Sequence, residues 1–155
     1  MNTKGADFLI LSVIAASLWA QSSLLPDPSR TPGALNPAVT QQNTHQTICK
    51  PGFTKTVRPP VSYTDTLKIR QMAELRLTGR AKDFEEDHFI PLELGGNPTD
   101  PHNLWPEPWP DAHKKDVVED FLHRQVCADK MTLRGAQDEI HLWPQVYAKI
   151  KGVLP

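Results

Sequence analysis

Asp87 and His88 stand side by side near the middle of the chain, Asn103 follows fifteen residues after His88, and His113 comes ten residues after that. A neutral imidazole can take a proton from water because its pKa lies near the working pH. Carboxylate oxygen and imidazole nitrogen can also hold a hard divalent cation, which neutralises charge on a phosphate and on a departing oxygen. A set of this kind suits hydrolysis of a phosphodiester bond, with His88 as the candidate base. Taken alone the Asp-His pair is a weak signal, since a histidine beside a carboxylate on a strand is more often an ordinary surface or core pair. Its weight comes from the elements around it.

Phe84 to Ile90 mixes aromatic and branched residues with charges and stops at Pro91, which predicts a short strand carrying Asp87 and His88 at its end. Leu94 to His102 holds Gly95-Gly96 and two prolines and predicts a loop leading to a second short strand at Asn103-Leu104-Trp105. Asp111 then caps a helix in which Val117, Val118, Phe121, Leu122 and Val126 recur at three- and four-residue spacing. The order is strand, loop, strand, helix, and the helix opens with Asp111-Ala112-His113-Lys114-Lys115-Asp116. Upstream, Thr64 to Leu77 reads as a helix capped by Thr64, with Ile69, Met72 and Ala73 on one face and Gly79 as the stop. Downstream, a helix from near Thr132 uses Ile140, Trp143, Tyr147 and Ile150 as an apolar stripe and bends at Pro144.

The segments EEDHFIPLELGG and NLWPEPW, followed by a helix bearing a histidine, resemble the HNH, or ββα-metal, endonuclease superfamily. Its members share D/E-H, P, GG and N-L, then a helix with a final His or Asn. The longer string ICKPGFTKTVRPPVSYT through KDVVE to VC is similar to a group of small secreted bacterial HNH-like proteins, over about residues 48–147. The resemblance implies an α+β fold, a mainly helical small domain around a ββα-metal motif of short hairpin plus helix. It implies a metal-dependent endonuclease acting on nucleic acid, DNA ahead of RNA. No groove-reading module accompanies the site, so little sequence preference is expected.

The same resemblance implies roles. Asp87 would be a metal ligand beside the base, and Asn103 a catalytic support that fixes the loop and so orients His88; in some relatives a nearby Asn binds the metal instead. Relatives place the last His or Asn about nine residues after the central Asn, and here that place is Ala112. His113 is one residue further. One helical residue turns a side chain by about 100°, so His113 becomes the second ligand only where the loop through Pro106, Pro108 and Pro110 absorbs the offset. Asp116 and Glu119 are its substitutes. The expected ion is Mg²⁺ or Mn²⁺, with Zn²⁺ and Ni²⁺ as further candidates. The competing reading is a non-catalytic binding domain of the cell envelope that keeps a metal-stabilised ββα scaffold.

A net charge of −1 excludes binding nucleic acid by bulk charge, but the charge is unevenly placed. From Lys50 to Lys82 eight basic and two acidic residues give +6, and from Asp83 to Asp120 eleven acidic residues and two lysines give −9. The acidic stretch could hold a metal and the basic one a phosphate backbone; the plain alternative is charge complementarity between packed halves. Lys114, Lys115 and Arg80 are the candidates for nucleic-acid contact, beside Arg58 and Arg76, against the alternative of solvated side chains. Trp105 and Trp109 could stack on bases, although packing is favoured in so proline-rich a segment. Glu85 and Glu86 add negative charge, with strand alternation turning one of them away. His45, His102, His123 and His141 take no role.

At 155 residues the chain has room for one domain. Met1 to Lys4 supply a short positive end, and the thirteen residues from Phe8 to Ala20 form an apolar run, well short of the roughly 20 that span a bilayer as a helix. Residues 1–20 therefore read as a signal peptide rather than a buried helix, which places the protein outside the cell or in the periplasm, with no stable membrane span after cleavage. Residues 21–47 mix Pro, Ser, Thr, Gln and Asn without apolar periodicity and read as a disordered linker. The nuclease-like domain then covers 48–155. Cys49 and Cys127 sit near its two ends, and in an oxidising compartment they read as a disulfide rather than two buried thiols. A zinc site there is disfavoured, since no CxxC pair is present.

Overall fold

A computed structural model describes residues 25–153, so the signal-peptide reading of residues 1–20 lies outside the described residues. Its centre is a two-stranded antiparallel hairpin, β1 (Phe84–His88) and β2 (Leu104–Pro108), in which Glu85 faces Glu107, Asp87 faces Trp105 and His88 faces Leu104. Among the described residues two α-helices precede it, α1 (Phe53–Val57) and α2 (Val61–Glu74), and three follow, α3 (Trp109–Cys127), α4 (Leu133–Ile140) and α5 (Trp143–Ile150). The architecture is α+β. Side chains alternate across a strand, and here the alternation gives each face a helix. Lys68 of α2 donates to the Phe84 carbonyl at 3.3 Å on one side, and Lys115 of α3 meets Asp87 at 2.7 Å on the other.

Helix boundaries depart from the expected ones where proline intervenes. α2 starts at Val61, because Pro60 at φ −60°, ψ 143° sets the extended entry; Thr64 is inside the helix and its hydroxyl donates back to the Val61 carbonyl at 3.1 Å. α3 likewise starts after Pro108, leaving Asp111 in its first turn, where a negative charge suits the helix dipole. The expected last helix is two. Thr132 caps α4, its hydroxyl accepting from Gly135 N at 3.0 Å, and the chain breaks at His141-Leu142 before Pro144 enters the first turn of α5. Pro144 thus begins a helix rather than bending one.

The core joins Val118, Leu122 and Val126 of α3 to Ile140, Trp143 and Val146 of the last two helices, with Ile90 and Leu94 from the loop after β1. Residues 25–47 differ from the linker that composition suggested. Val39 enters the same core, Leu35 bridges Gly96, and Gln41–Gln46 forms a 3-10 helix. A proline-rich segment has no helical or strand period to betray burial, yet it can pack single apolar side chains in extended form. Cys49 and Cys127 form a disulfide with Cα atoms 5.5 Å apart, tying the start of the domain to the end of α3 across a separation of 78 residues. Among the described residues no helix is long and apolar enough to cross a membrane.

Candidate active site

The loop between the strands is held by Asn103, which is fully buried. Its Oδ1 accepts from Ile90 N at 2.8 Å, and its Nδ2 donates to Ile90 O at 2.9 Å and Asn97 O at 3.0 Å. One amide side chain thereby spans both ends of the turn that follows His88, using three of its four hydrogen-bonding positions. Gly96 is required beside it: a Cβ there would fall 1.8 Å from the Ile90 carbonyl oxygen and 2.7 Å from Asn103 Nδ2. The loop so closed brings the Pro98 carbonyl to 3.0 Å from His88 Nε2.

A carbonyl only accepts, so Nε2 carries the proton and Nδ1 keeps its lone pair. Burial pushes His88 below the ordinary imidazole pKa, against the opposite pull of the Pro98 carbonyl and of Asp87. At neutral pH the ring is uncharged and in the tautomer a base needs. His88 lines a cleft of about 240 Å³ with Arg58, Lys68, Glu85, Glu86 and Trp109. Arg58 stands close enough to oppose protonation of His88. Lys115 acts on the ring in the same direction.

Asp87 leaves the opposite face of β1 and enters a buried polar cluster under α3. Lys115 is 0% exposed, and its ammonium donates to Asp87 Oδ2 at 2.7 Å, to the His88 carbonyl at 2.9 Å and to Glu119 Oε1. Burial, the largest single influence, would raise Asp87, but the charge and hydrogen bond of Lys115 together with Glu107 and His88 reverse it and hold the carboxyl below its ordinary range. Burial would also neutralise Lys115, and Asp87, Glu119 and Glu107 together reverse this and raise it. Glu107, fully buried, has no amine, amide or hydroxyl donor at either oxygen. Burial and then the Asp87 charge push it to about 10, so it stays protonated and donates to Asp87. Glu85 on the same face is raised to about 7 by burial, Asp87 and Asp116.

The other expected site residues disperse. His113 is exposed and packs on Trp109, ring centroids 5.5 Å apart. It precedes Lys115 by two residues, about 200° of helical turn, so it lies off the face that meets Asp87. Ala112 is on that face, buried, and has no ligating atom. Lys114 is exposed and pairs with Asp111 at 2.8 Å, and Arg80 forms a two-point pair with Asp83 at 3.0 and 3.1 Å. Lys115, expected at the surface facing phosphate, is inside the protein. Its spacing of three residues from both Ala112 and Val118 was a signal, but the acidic partners it meets are fixed only by how α3 packs on β1.

His123, expected to be idle, sits beside the disulfide. Among the described residues the one group of three or more His, Cys, Asp or Glu side chains converging within 4.8 Å is Cys49, His123 and Cys127, a spacing that could hold a metal ion. Joined as a disulfide, the two sulfurs carry no thiolate, which is the form that ligates. His123 Nε2 meanwhile lies 3.0 Å from the Ile48 carbonyl. No family model matches the chain, and neither the curated proteins nor the solved structures contain a significant match.

Proposed function

We propose that the chain is a phosphodiester hydrolase of the HNH type, acting on DNA ahead of RNA, with His88 as general base. One observation carries the reading: an imidazole kept neutral by burial, fixed in one tautomer by the Pro98 carbonyl, and opening on a cleft beside Arg58. His88 Nδ1 accepts a proton from water as the oxygen attacks phosphorus, the bond from phosphorus to the departing sugar oxygen breaks, and that oxygen takes a proton from solvent. The imidazolium so formed is stabilised by Asp87 nearby, and Arg58, with Lys68 behind it, meets the charge that grows on the phosphate oxygens. Asn103 acts through the loop and not on substrate, as the resemblance to the superfamily implies.

The divalent ion of that superfamily does not fit Asp87 and His113 as they stand. Asp87 is taken by Lys115 and Glu107, and His113 lies on another face of α3. No step is therefore routed through a metal. Full-length protein should nick supercoiled plasmid, and His88→Ala should lower the rate by about 10²–10⁴-fold, the usual contribution of a general base. Full activity in purified His88→Ala would reject the assignment.

The closed Asp87–Lys115 pair also favours a second reading, a non-catalytic binding domain of the cell envelope on the same scaffold. It expects no cleavage from wild type or His88→Ala under any ionic condition.

A further inference from the structure

The three N–H bonds of the Lys115 ammonium meet three oxygens: the Asp87 carboxylate of β1, the carbonyl of the residue after it, and the Glu119 carboxyl one turn along α3. No part of the side chain reaches solvent. A buried ammonium is tolerated when each donor is satisfied and an opposite charge is in contact, and both conditions are met. The acceptors are oxygens, two of them from carboxyl groups, the donor set that a hard divalent cation also selects.

The cluster is also closed from the far side. Glu107 is fully buried and points its carboxyl at Asp87. Asp87 therefore meets the Lys115 ammonium from α3 and the Glu107 carboxyl from β2. Asp87 and Glu119 keep 15% and 16% of their side chains exposed, so an ion could reach the cluster, but it would have to displace an ammonium that is itself wholly buried. The side chain that could have supplied the second ligand, His113, faces away, and Ala112 offers none.

We propose that the Lys115 ammonium is the built-in cation of this site, occupying the seat on Asp87 and Glu119 that a divalent ion would take and positioning His88 through its carbonyl. The site is then complete without metal. The part of the inference that concerns catalysis rests on His88 as base; the part that concerns the cation seat does not.

Mn²⁺ titrated into the full chain tests the seat directly. The His88 ring resonances should stay sharp at one equivalent, and the melting temperature should not respond to Mn²⁺ or to chelator. Stoichiometric broadening of His88 together with a rise in melting temperature overturns the proposal. Lys115→Ala empties the seat, so Mn²⁺ should raise its melting temperature and broaden His88, an effect that a purely structural lysine would not leave behind. A folded Lys115→Ala that ignores Mn²⁺ overturns the proposal too, and where that variant does not fold the wild-type titration decides.

Plasmid nicking adds the catalytic arm. Activity unchanged in chelator supports the built-in cation, and activity that appears only with Mg²⁺ or Mn²⁺ overturns it while leaving the nuclease reading intact. Absence of cleavage under every condition rejects the nuclease reading, and the Mn²⁺ titration still decides the cation seat.

Discussion

Glu86 and Glu107 are both buried carboxyls on the hairpin, and they meet burial differently. Glu107 keeps its proton and turns it toward the Asp87 carboxylate. Glu86 has no donor at either oxygen, and burial raises it to about 8 in spite of Lys68 nearby. A carboxyl raised in the folded state contributes stability that is fully present below its unfolded pKa of 4.5 and is lost as pH climbs through about 8. Glu86→Gln, uncharged throughout, should match wild type at pH 5 and exceed it at pH 9 by on the order of 2 kcal/mol, the cost of an unpaired buried polar group. Thermal unfolding at the two pH values measures this, and equal stabilities at pH 9 would contradict it. His88 has the opposite sign. Its depressed pKa adds stability above the ordinary imidazole value that fades as pH falls through the folded one.

At the level of elements, the loop clamp does the positioning. Asn103→Ala removes three side-chain hydrogen bonds and leaves the Ile90 amide and the Ile90 and Asn97 carbonyls to find other partners in a buried turn. A loss of about 3 kcal/mol is expected from denaturant unfolding, together with loss of cleavage, because Pro98 no longer holds the His88 tautomer. Wild-type stability in this variant would show that the clamp is dispensable. The presence of the hairpin was readable from residue type and from Gly95-Gly96, and the α3 core from its apolar spacing, but β2 runs on through Pro106 to Pro108, expected as loop, and Asn103 lies in the 3-10 turn before it. The position of α2 was not, since Pro60 set its start and a threonine that looks like a cap became an interior residue.

Across the whole molecule the charge asymmetry resolves into packing. The basic α2 lies against the acidic hairpin: Lys68 donates to the Phe84 carbonyl, and Lys68 and Arg70 stand close enough to Glu86, and Arg58 to Glu85, to oppose the rise of both carboxyls. The complementarity reading of the two charged stretches therefore accounts for part of them, and the cleft keeps Arg58 and Lys68 on its wall. The Cys49–Cys127 bond closes a loop of 78 residues and should contribute about 4 kcal/mol by restricting the unfolded chain. Reduction with a dithiol, or Cys49→Ser with Cys127→Ser, should lower stability by that order, read from urea unfolding. An unchanged midpoint would show the staple to be redundant. The bond is consistent with an oxidising compartment.

Sequence alone determined what depends on neighbours along the chain: the two strands, the glycine-dependent turn, the apolar stripe of α3, and the pairing partner of each cysteine once only two exist. It also singled out His88 and Asn103, whose placement follows from a local loop. Tertiary structure alone decided which cation faces Asp87. Lys115 and His113 differ by two positions on one helix, and both residue types could serve an acidic site. Only the rotation of α3 against β1, set by packing Val118 and Leu122 into the core, turns the ammonium inward and the imidazole out.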